Sequence, residues 1–205
     1  METIRLNTPE DTIVATDVGQ HQMWSAKYFH FDYPGQLLTS GGFGTMGFGL
    51  GAAIGAKAGN PDKVVIHTTG DGCFRMNCHE LATVEHYDLP IISVIFNNGT
   101  LGMVRQWQNL IYEKRFSETT LDRGPDFVKL ADAYGLKGFR VRNRAEMEAA
   151  LDEALAVKVL PALIPALSGK LPREERSLSE TLEAVLDGNA TLCRKTVKES
   201  GADLT

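Results

Sequence analysis

The run Pro90-Ile-Ile-Ser-Val-Ile-Phe96 constrains the fold more than any other segment. It is apolar at consecutive positions instead of alternate ones, so it fits a strand buried on both faces. A strand of that kind belongs inside a sheet covered by helices on both sides, and such sheets are mainly parallel. Parallel neighbours need long crossovers, usually helical, so the rest of the chain should alternate between strand and helix.

The alternation is present. Thr12–Thr16, Gln36–Ser40, Lys63–Thr69, Lys137–Val141 and Ala162–Ile164 read as further strands. Helical spacing appears over Gln22–Tyr28, Met76–His86, Met103–Tyr112, Asp126–Tyr134 and Ala145–Ala156. Between the second and third strands lies the glycine-dense stretch Gly41–Gly51, running into Ala52-Ala-Ile-Gly-Ala-Lys-Ala58. Small residues at that density suggest a helix pressed against another backbone or a ligand. The expected class is α/β: a doubly wound, mainly parallel sheet with helices on both faces. The character changes after Pro165, so the expected division is one domain over 1–167 and an appendage over 168–205. In the appendage, Ser177 and Glu180 form a capping box, and Leu178, Leu182, Val185 and Leu186 mark an amphipathic helix that Gly188 ends.

Composition narrows the ligands. Of 205 residues, 43% are hydrophobic and 23% charged, the balance of a globular protein, and the net charge of −5 argues against nucleic acid or an anionic membrane as partner. No apolar run reaches the ~20 residues that span a bilayer. The N-terminal residues lack the basic start and apolar stretch of a secretory signal. Three cysteines, Cys73, Cys78 and Cys193, form no closely spaced even framework, and the expected location is cytoplasmic. Cys73, Cys78, His79 and His86 lie close together but contain no C-x-x-C pair, so buried thiols and helix-face histidines are preferred to a zinc site. An anion must therefore be held by local devices.

In a doubly wound sheet those devices sit beyond the carboxyl ends of the strands. Three strands here end in polar or glycine-rich sequence: Asp17-Val-Gly-Gln-His-Gln, Gly70-Asp-Gly-Cys and Asn97-Asn-Gly-Thr. Asp71 stands between a strand and a helix, where nearby N–H groups can face a phosphate and Gly70 and Gly72 let a bulky anion approach. A strand–helix–strand crossover separates Asp71 from Asn98, so the two strand ends can be neighbours. A carboxylate, an amide oxygen and a backbone carbonyl are hard ligands suited to Mg²⁺, whose charge would offset that of a diphosphate. Alone, Gly-Asp-Gly also reads as a plain turn.

Gly70-Asp-Gly followed by Asn97-Asn98 resembles the metal motif of thiamine-diphosphate enzymes. The resemblance implies that Asp71, Asn98 and the backbone oxygen of Thr100 bind Mg²⁺. Four more blocks resemble acetolactate synthase large subunits: Val18-Gly-Gln-His-Gln-Met-Trp24, Ser40-Gly-Gly-Phe-Gly-Thr-Met-Gly-Phe-Gly-Leu50, Met76-Asn-Cys-His-Glu-Leu-Ala-Thr83 and Leu101-Gly-Met-Val-Arg-Gln-Trp-Gln108. The likeness covers about residues 10–142. It implies that Gln20 and His21 touch the diphosphate, that the Gly44 carbonyl bonds the cofactor's amino group, and that Met46 supports the bent cofactor. It also places Gly70, Gly72, Cys73, Gly102 and Met103 at the cofactor. Met103, Val104 and Trp107 would line the substrate channel, although Met103 and Trp107 at i and i+4 equally read as one apolar helix face. The implied reaction decarboxylates pyruvate and joins the remainder to a second 2-keto acid.

The same resemblance implies what must be supplied from outside residues 1–205. In the family a glutamate from a separate pyrimidine-binding domain promotes catalysis, and a central domain carries most of the flavin site, so FAD is expected only together with those domains. The first strand begins near Ile13, leaving no room for either ahead of it. The expectations are a fragment, the β half of a split 2-keto acid decarboxylase such as those acting on sulfopyruvate, or a non-catalytic cofactor-binding remnant. A homo-oligomer is expected as well, because missing domains leave apolar surface to cover. Three residues depart from the family pattern. Gly51 stands where proline is usual, Cys73 replaces serine and His79 replaces glutamine.

Overall fold

The computed structural model describes residues 1–156 and a strand at 162–166. The helix expected from Leu178, and the domain boundary expected at 167/168, lie outside the described residues.

Six strands form one sheet: β1 (Ile13–Thr16), β2 (Leu37–Thr39), β3 (Val65–Gly70), β4 (Ile91–Phe96), β5 (Lys137–Gly138) and β6 (Ala162–Ala166). Their order is β2-β1-β3-β4-β6-β5, and every pairing is parallel. Among the described residues eight α-helices accompany them: α1 (Glu2–Leu6), α2 (Gln20–Tyr28), α3 (Phe48–Gly59), α4 (Asp71–Asn77), α5 (Leu81–His86), α6 (Gly102–Leu110), α7 (Phe127–Ala133) and α8 (Arg144–Ala156).

The period of two along the central strands assigns each side chain to a face. Ile13, Ala15, Val65, Ile91 and Ile95 meet α3, α4, α5 and α7 through Leu50, Ala53, Phe74, Leu81 and Phe127. Val14, Ile66, Ile92 and Val94 meet α1 and α8 on the other face through Ile4, Met147, Ala150 and Leu151. The chain is doubly wound, as the burial of β3 and β4 on both faces requires.

Four local expectations need correction. Helix α2 starts at Gln20, two residues earlier than its apolar pattern. The helix expected at Met76–His86 begins instead at Asp71, directly after β3, and is interrupted by a 3₁₀ turn at Cys78–Glu80. The interruption has a cause: Asn77 leaves helical geometry (φ −134°) and donates its side-chain amide to the Gly47 carbonyl at 2.6 Å. The last strands also shift. β5 is only Lys137–Gly138, although Val141 is buried in the core, and β6 runs on from Ala162 to Ala166. Finally, α1 was not anticipated. It buries Ile4 and packs on α8.

Candidate functional site

The strand order reverses between β1 and β3, because the chain runs outward to β2 before returning. Loops diverge at such a switch point and leave a crevice at the carboxyl ends. Here the crevice is an open cleft built by the segments that follow β1, β3 and β4, with Met46 from the loop after β2. Gln20, His21, Met46, Gly70, Asp71, Gly72, Cys73, Asn98, Thr100, Gly102, Met103 and Val104 all line it. Two expected residues do not: Gly44 lies in the exposed loop after β2, and Trp107 stands on α6 with 48% of its surface exposed.

Asp71 is the first residue of α4 and only 1% exposed. Gly70 pairs with Phe96 in the β3/β4 register, so Asp71 and Asn98 leave adjacent strand ends. The Asp71 carboxylate accepts the Gly99 N–H at 3.1 Å, and Asn98 Oδ1 accepts the Thr100 N–H at 3.0 Å. Burial pushes the Asp71 carboxyl above its ordinary pKa, against the opposing pull of the Arg75 charge and backbone N–H groups. A buried carboxylate of this kind would be relieved by a cation.

His21 is 5% exposed, and its Nε2 is buried with no hydrogen-bond partner among the described residues. Burial holds its pKa down at about 4, so the ring is neutral at pH 7. The ring is packed between two glycines: a Cβ at Gly19 or Gly70 would approach its Cε1 to 3.1 or 3.2 Å. Gln20 donates to Gln106 on α6 at 3.0 Å, and a Cβ at Gly102 would come within 2.5 Å of Gln20 Oε1. A side chain at 102 would push the Gln20 and Asn98 amides aside where α6 begins against the loop after β1. Cys73 donates its thiol to the Val18 carbonyl at 3.0 Å, and burial pushes its pKa up to about 11.

Beneath the cleft lies a polar network that the sequence reading did not assign. Asp17 Oδ1 accepts the Gly49 N–H at 3.0 Å, while Oδ2 accepts the Thr69 hydroxyl at 2.7 Å and contacts His67 Nε2 at 3.1 Å. His67 Nδ1 meets Ser93 Oγ at 3.2 Å. Burial alone would raise the Asp17 pKa, but hydrogen bonds from His67, Gly49 and Thr69 outweigh it and hold the carboxyl below its ordinary value. The network ties β1, β3, β4 and the start of α3 together under the cleft. Its sequence signal was the period of two in β3, where His67 and Thr69 share a face with Val65. Val18, Gly19, Trp24, Phe96 and Leu101 also line the cleft without having been singled out, and Trp24 meets Phe96 edge-on at 5.7 Å.

The donor set fits a metal-bound diphosphate. It offers a buried carboxylate and neighbouring amide and carbonyl oxygens, a partnerless imidazole nitrogen, and glycine where a side chain would crowd the approach.

Comparison with known proteins identifies the family. The family described as thiamine pyrophosphate enzyme, C-terminal TPP binding domain, matches residues 17–165. A probable acetolactate synthase large subunit of Methanococcus aeolicus is 53% identical over 150 residues, covering 73% of this chain and 25% of the relative. The acetolactate synthase isozyme 2 large subunit of Escherichia coli (strain K12) is 50% identical over 147 residues, 72% of this chain and 27% of the relative. The chain therefore spans about a quarter of the length of these curated relatives. Among solved structures, the thiamine diphosphate-dependent 4-hydroxybenzoylformate decarboxylase of Rhodococcus jostii RHA1 superposes with a TM-score of 0.74 at 28% identity, covering 84% of this chain and 32% of that one.

Proposed function

The chain belongs to the thiamine pyrophosphate enzymes, through their C-terminal TPP binding domain, and from that premise we propose that it forms the diphosphate- and Mg²⁺-holding half of an acetolactate synthase-like active site. The observation that carries the proposal is the placement of Asp71 and Asn98 at adjacent strand ends, joined by the Asp71–Gly99 hydrogen bond. In this reading Asp71, Asn98 and the Thr100 carbonyl hold the metal. The free Nε2 of neutral His21 faces the diphosphate, with Gln20 beside it. Met46 supports the cofactor, and the exposed Gly44 carbonyl meets it from the loop after β2. When bound, thiamine diphosphate supplies a nucleophilic carbon that adds to 2-keto acids and holds the electrons released with CO₂.

This chain's own residues then orient and enclose. Glycines at 70, 72 and 102 keep the backbone close, and the network under Asp17 keeps the loop after β1 fixed. Met103, Val104 and Trp107, on one side of α6, contact the 2-keto acid substrate.

A pyrimidine-binding domain, from another chain or another part of the protein, completes the site in this proposal. The surface to receive it includes Phe43, 99% exposed, together with Val104, Trp107, Ile111 and Tyr112. Self-association of the chain covers the same kind of surface. The test is to mix the chain with a pyrimidine-binding domain of the family, Mg²⁺ and thiamine diphosphate, and to assay pyruvate consumption. Acetolactate formation supports the reading. CO₂ and aldehyde without carboligation would favour the β half of a split decarboxylase, to which the likeness to a decarboxylase structure lends some weight. Cofactor binding with no turnover in any mixture would leave a binding remnant.

A further inference from the structure

We propose that Arg75 is a positioning residue for the metal-binding loop: it clamps the Thr119–Leu121 segment against Gly99–Leu101 and so fixes the Thr100 carbonyl. The inference rests on the reading of Asp71, Asn98 and Thr100 as metal ligands.

Beyond β4 the loop Asn98–Leu101 has left the sheet and its ladder, and Gly99 takes φ +68°. A backbone carbonyl in such a loop can serve as a ligand only if something else holds it. The chain supplies a short partner. Thr120 bridges Thr100 in antiparallel sense, Leu121 donates to the Gly99 carbonyl at 2.7 Å, and Leu101 donates to the Thr119 carbonyl at 2.8 Å. The Thr100 hydroxyl adds a bond to the same Thr119 carbonyl at 2.7 Å. These bonds occupy both sides of Thr100 while leaving its own carbonyl uncommitted to the segment.

Gln108 on α6 holds the near end of the segment, accepting the Thr119 hydroxyl at 3.4 Å, and the far end at Leu121 needs a hold of its own. The segment follows an exposed stretch in which Glu113, Lys114 and Glu118 all hold positive φ, conformations disfavoured for non-glycine residues. Arg75 anchors that far end. Its Nη2 donates to the Leu121 carbonyl at 3.2 Å, and Gly124 packs so closely on the guanidinium that a Cβ there would overlap it. Arg75 also lies one helical turn beyond Asp71 on α4, so one side chain couples the carboxylate ligand's helix to the segment bracing the carbonyl ligand. Its Nε is buried and has no hydrogen-bond partner among the described residues, so the side chain's hold on the segment comes through Nη2.

The test uses the whole chain and reads Mg²⁺ dependence of thiamine diphosphate binding by calorimetry, together with amide hydrogen exchange. Arg75→Met should raise the half-saturating Mg²⁺ concentration about tenfold through the lost bracing, although it also removes a positive charge near Asp71. The thermal midpoint of the metal-free chain should change little, and Arg75→Lys, which keeps a donor and a charge, should recover most of the loss. In the metal-free Arg75→Met chain, the Leu101 and Leu121 amides should exchange faster together. A half-saturating concentration within twofold of the parent's, or unchanged exchange at both amides, overturns the proposal. Should Arg75→Met not fold, the parent alone decides: Mg²⁺ with cofactor should slow Leu101 and Leu121 exchange in concert, and slowing at neither or at Leu101 alone overturns it. A parent that binds no cofactor removes the reading of the site and this inference with it. A parent that binds while Arg75→Met matches it removes the inference alone.

Discussion

The Asp71 carboxylate accepts the Gly99 N–H at 3.1 Å, bridging the ends of β3 and β4 across the floor of the cleft. Burial works against that carboxylate, raising its pKa, so its charge costs the folded chain stability at neutral pH. Function and stability should therefore separate at this position. Asp71→Asn keeps the shape and an acceptor for Gly99 while removing the charge. It should abolish Mg²⁺-dependent cofactor binding and leave the thermal midpoint of the metal-free chain equal or higher. Calorimetry and a melting curve on the same sample check both halves.

Two glycines of α3 should respond in opposite directions. A Cβ at Gly49 would sit 2.6 Å from His67 Nε2 and 2.8 Å from the Asp17 backbone nitrogen, inside the buried network. Gly49→Ala should destabilise by about 1–3 kcal/mol or more. Gly51 is exposed with open space around the added atom, and in a helix alanine is favoured over glycine by about 1 kcal/mol. Gly51→Ala should thus raise the thermal midpoint by a few degrees. Equal effects at the two positions would contradict the packing described.

His21 predicts a pH dependence with a definite sign. Its folded pKa is lowered from 6.5 to about 4, so between those values the unfolded chain binds a proton that the folded chain refuses. Its contribution is fully present above pH 6.5 and is lost as the pH falls to about 4, on the order of 3 kcal/mol in all. Asp17, with its lowered pKa, should act at more acidic pH, as the solution falls through its folded value. Denaturant titrations of the parent and His21→Gln between pH 7 and 4 separate the two, because only the parent should show the loss in that window.

Cys73 donates to the Val18 carbonyl, which supports a structural use of the side chain that serine can share. Cys73→Ser should leave cofactor affinity within about twofold of the parent. The parent thiol, buried and with its pKa pushed up to about 11, should react slowly with thiol reagents at pH 7. A large gain or loss of affinity in the serine variant would show that this side chain reaches the cofactor.

How much of this was readable from residues alone differs by element. β4 was legible because both its faces are apolar, β3 from its apolar start at Val64–Ile66, and their polar ends pointed to Asp71 and Asn98. The start of α4 was obscured because Asp71 and Gly72 look like a turn, and its interruption depends on a bond from Asn77 to Gly47, thirty positions away. The Asp17–His67–Ser93 network was hidden for a similar reason. It exists only when β1, β3 and β4 lie side by side, and nothing local in the sequence links Asp17, His67 and Ser93 to one another. Likewise, nothing local links Arg75 to Leu121.

The most direct test of the account is calorimetric titration of thiamine diphosphate into the chain, with and without Mg²⁺. The account predicts saturable binding that requires the metal, and its loss in Asp71→Asn. Equal binding without Mg²⁺, or no binding in either condition, would contradict the assignment of this cleft as a metal-bound diphosphate site.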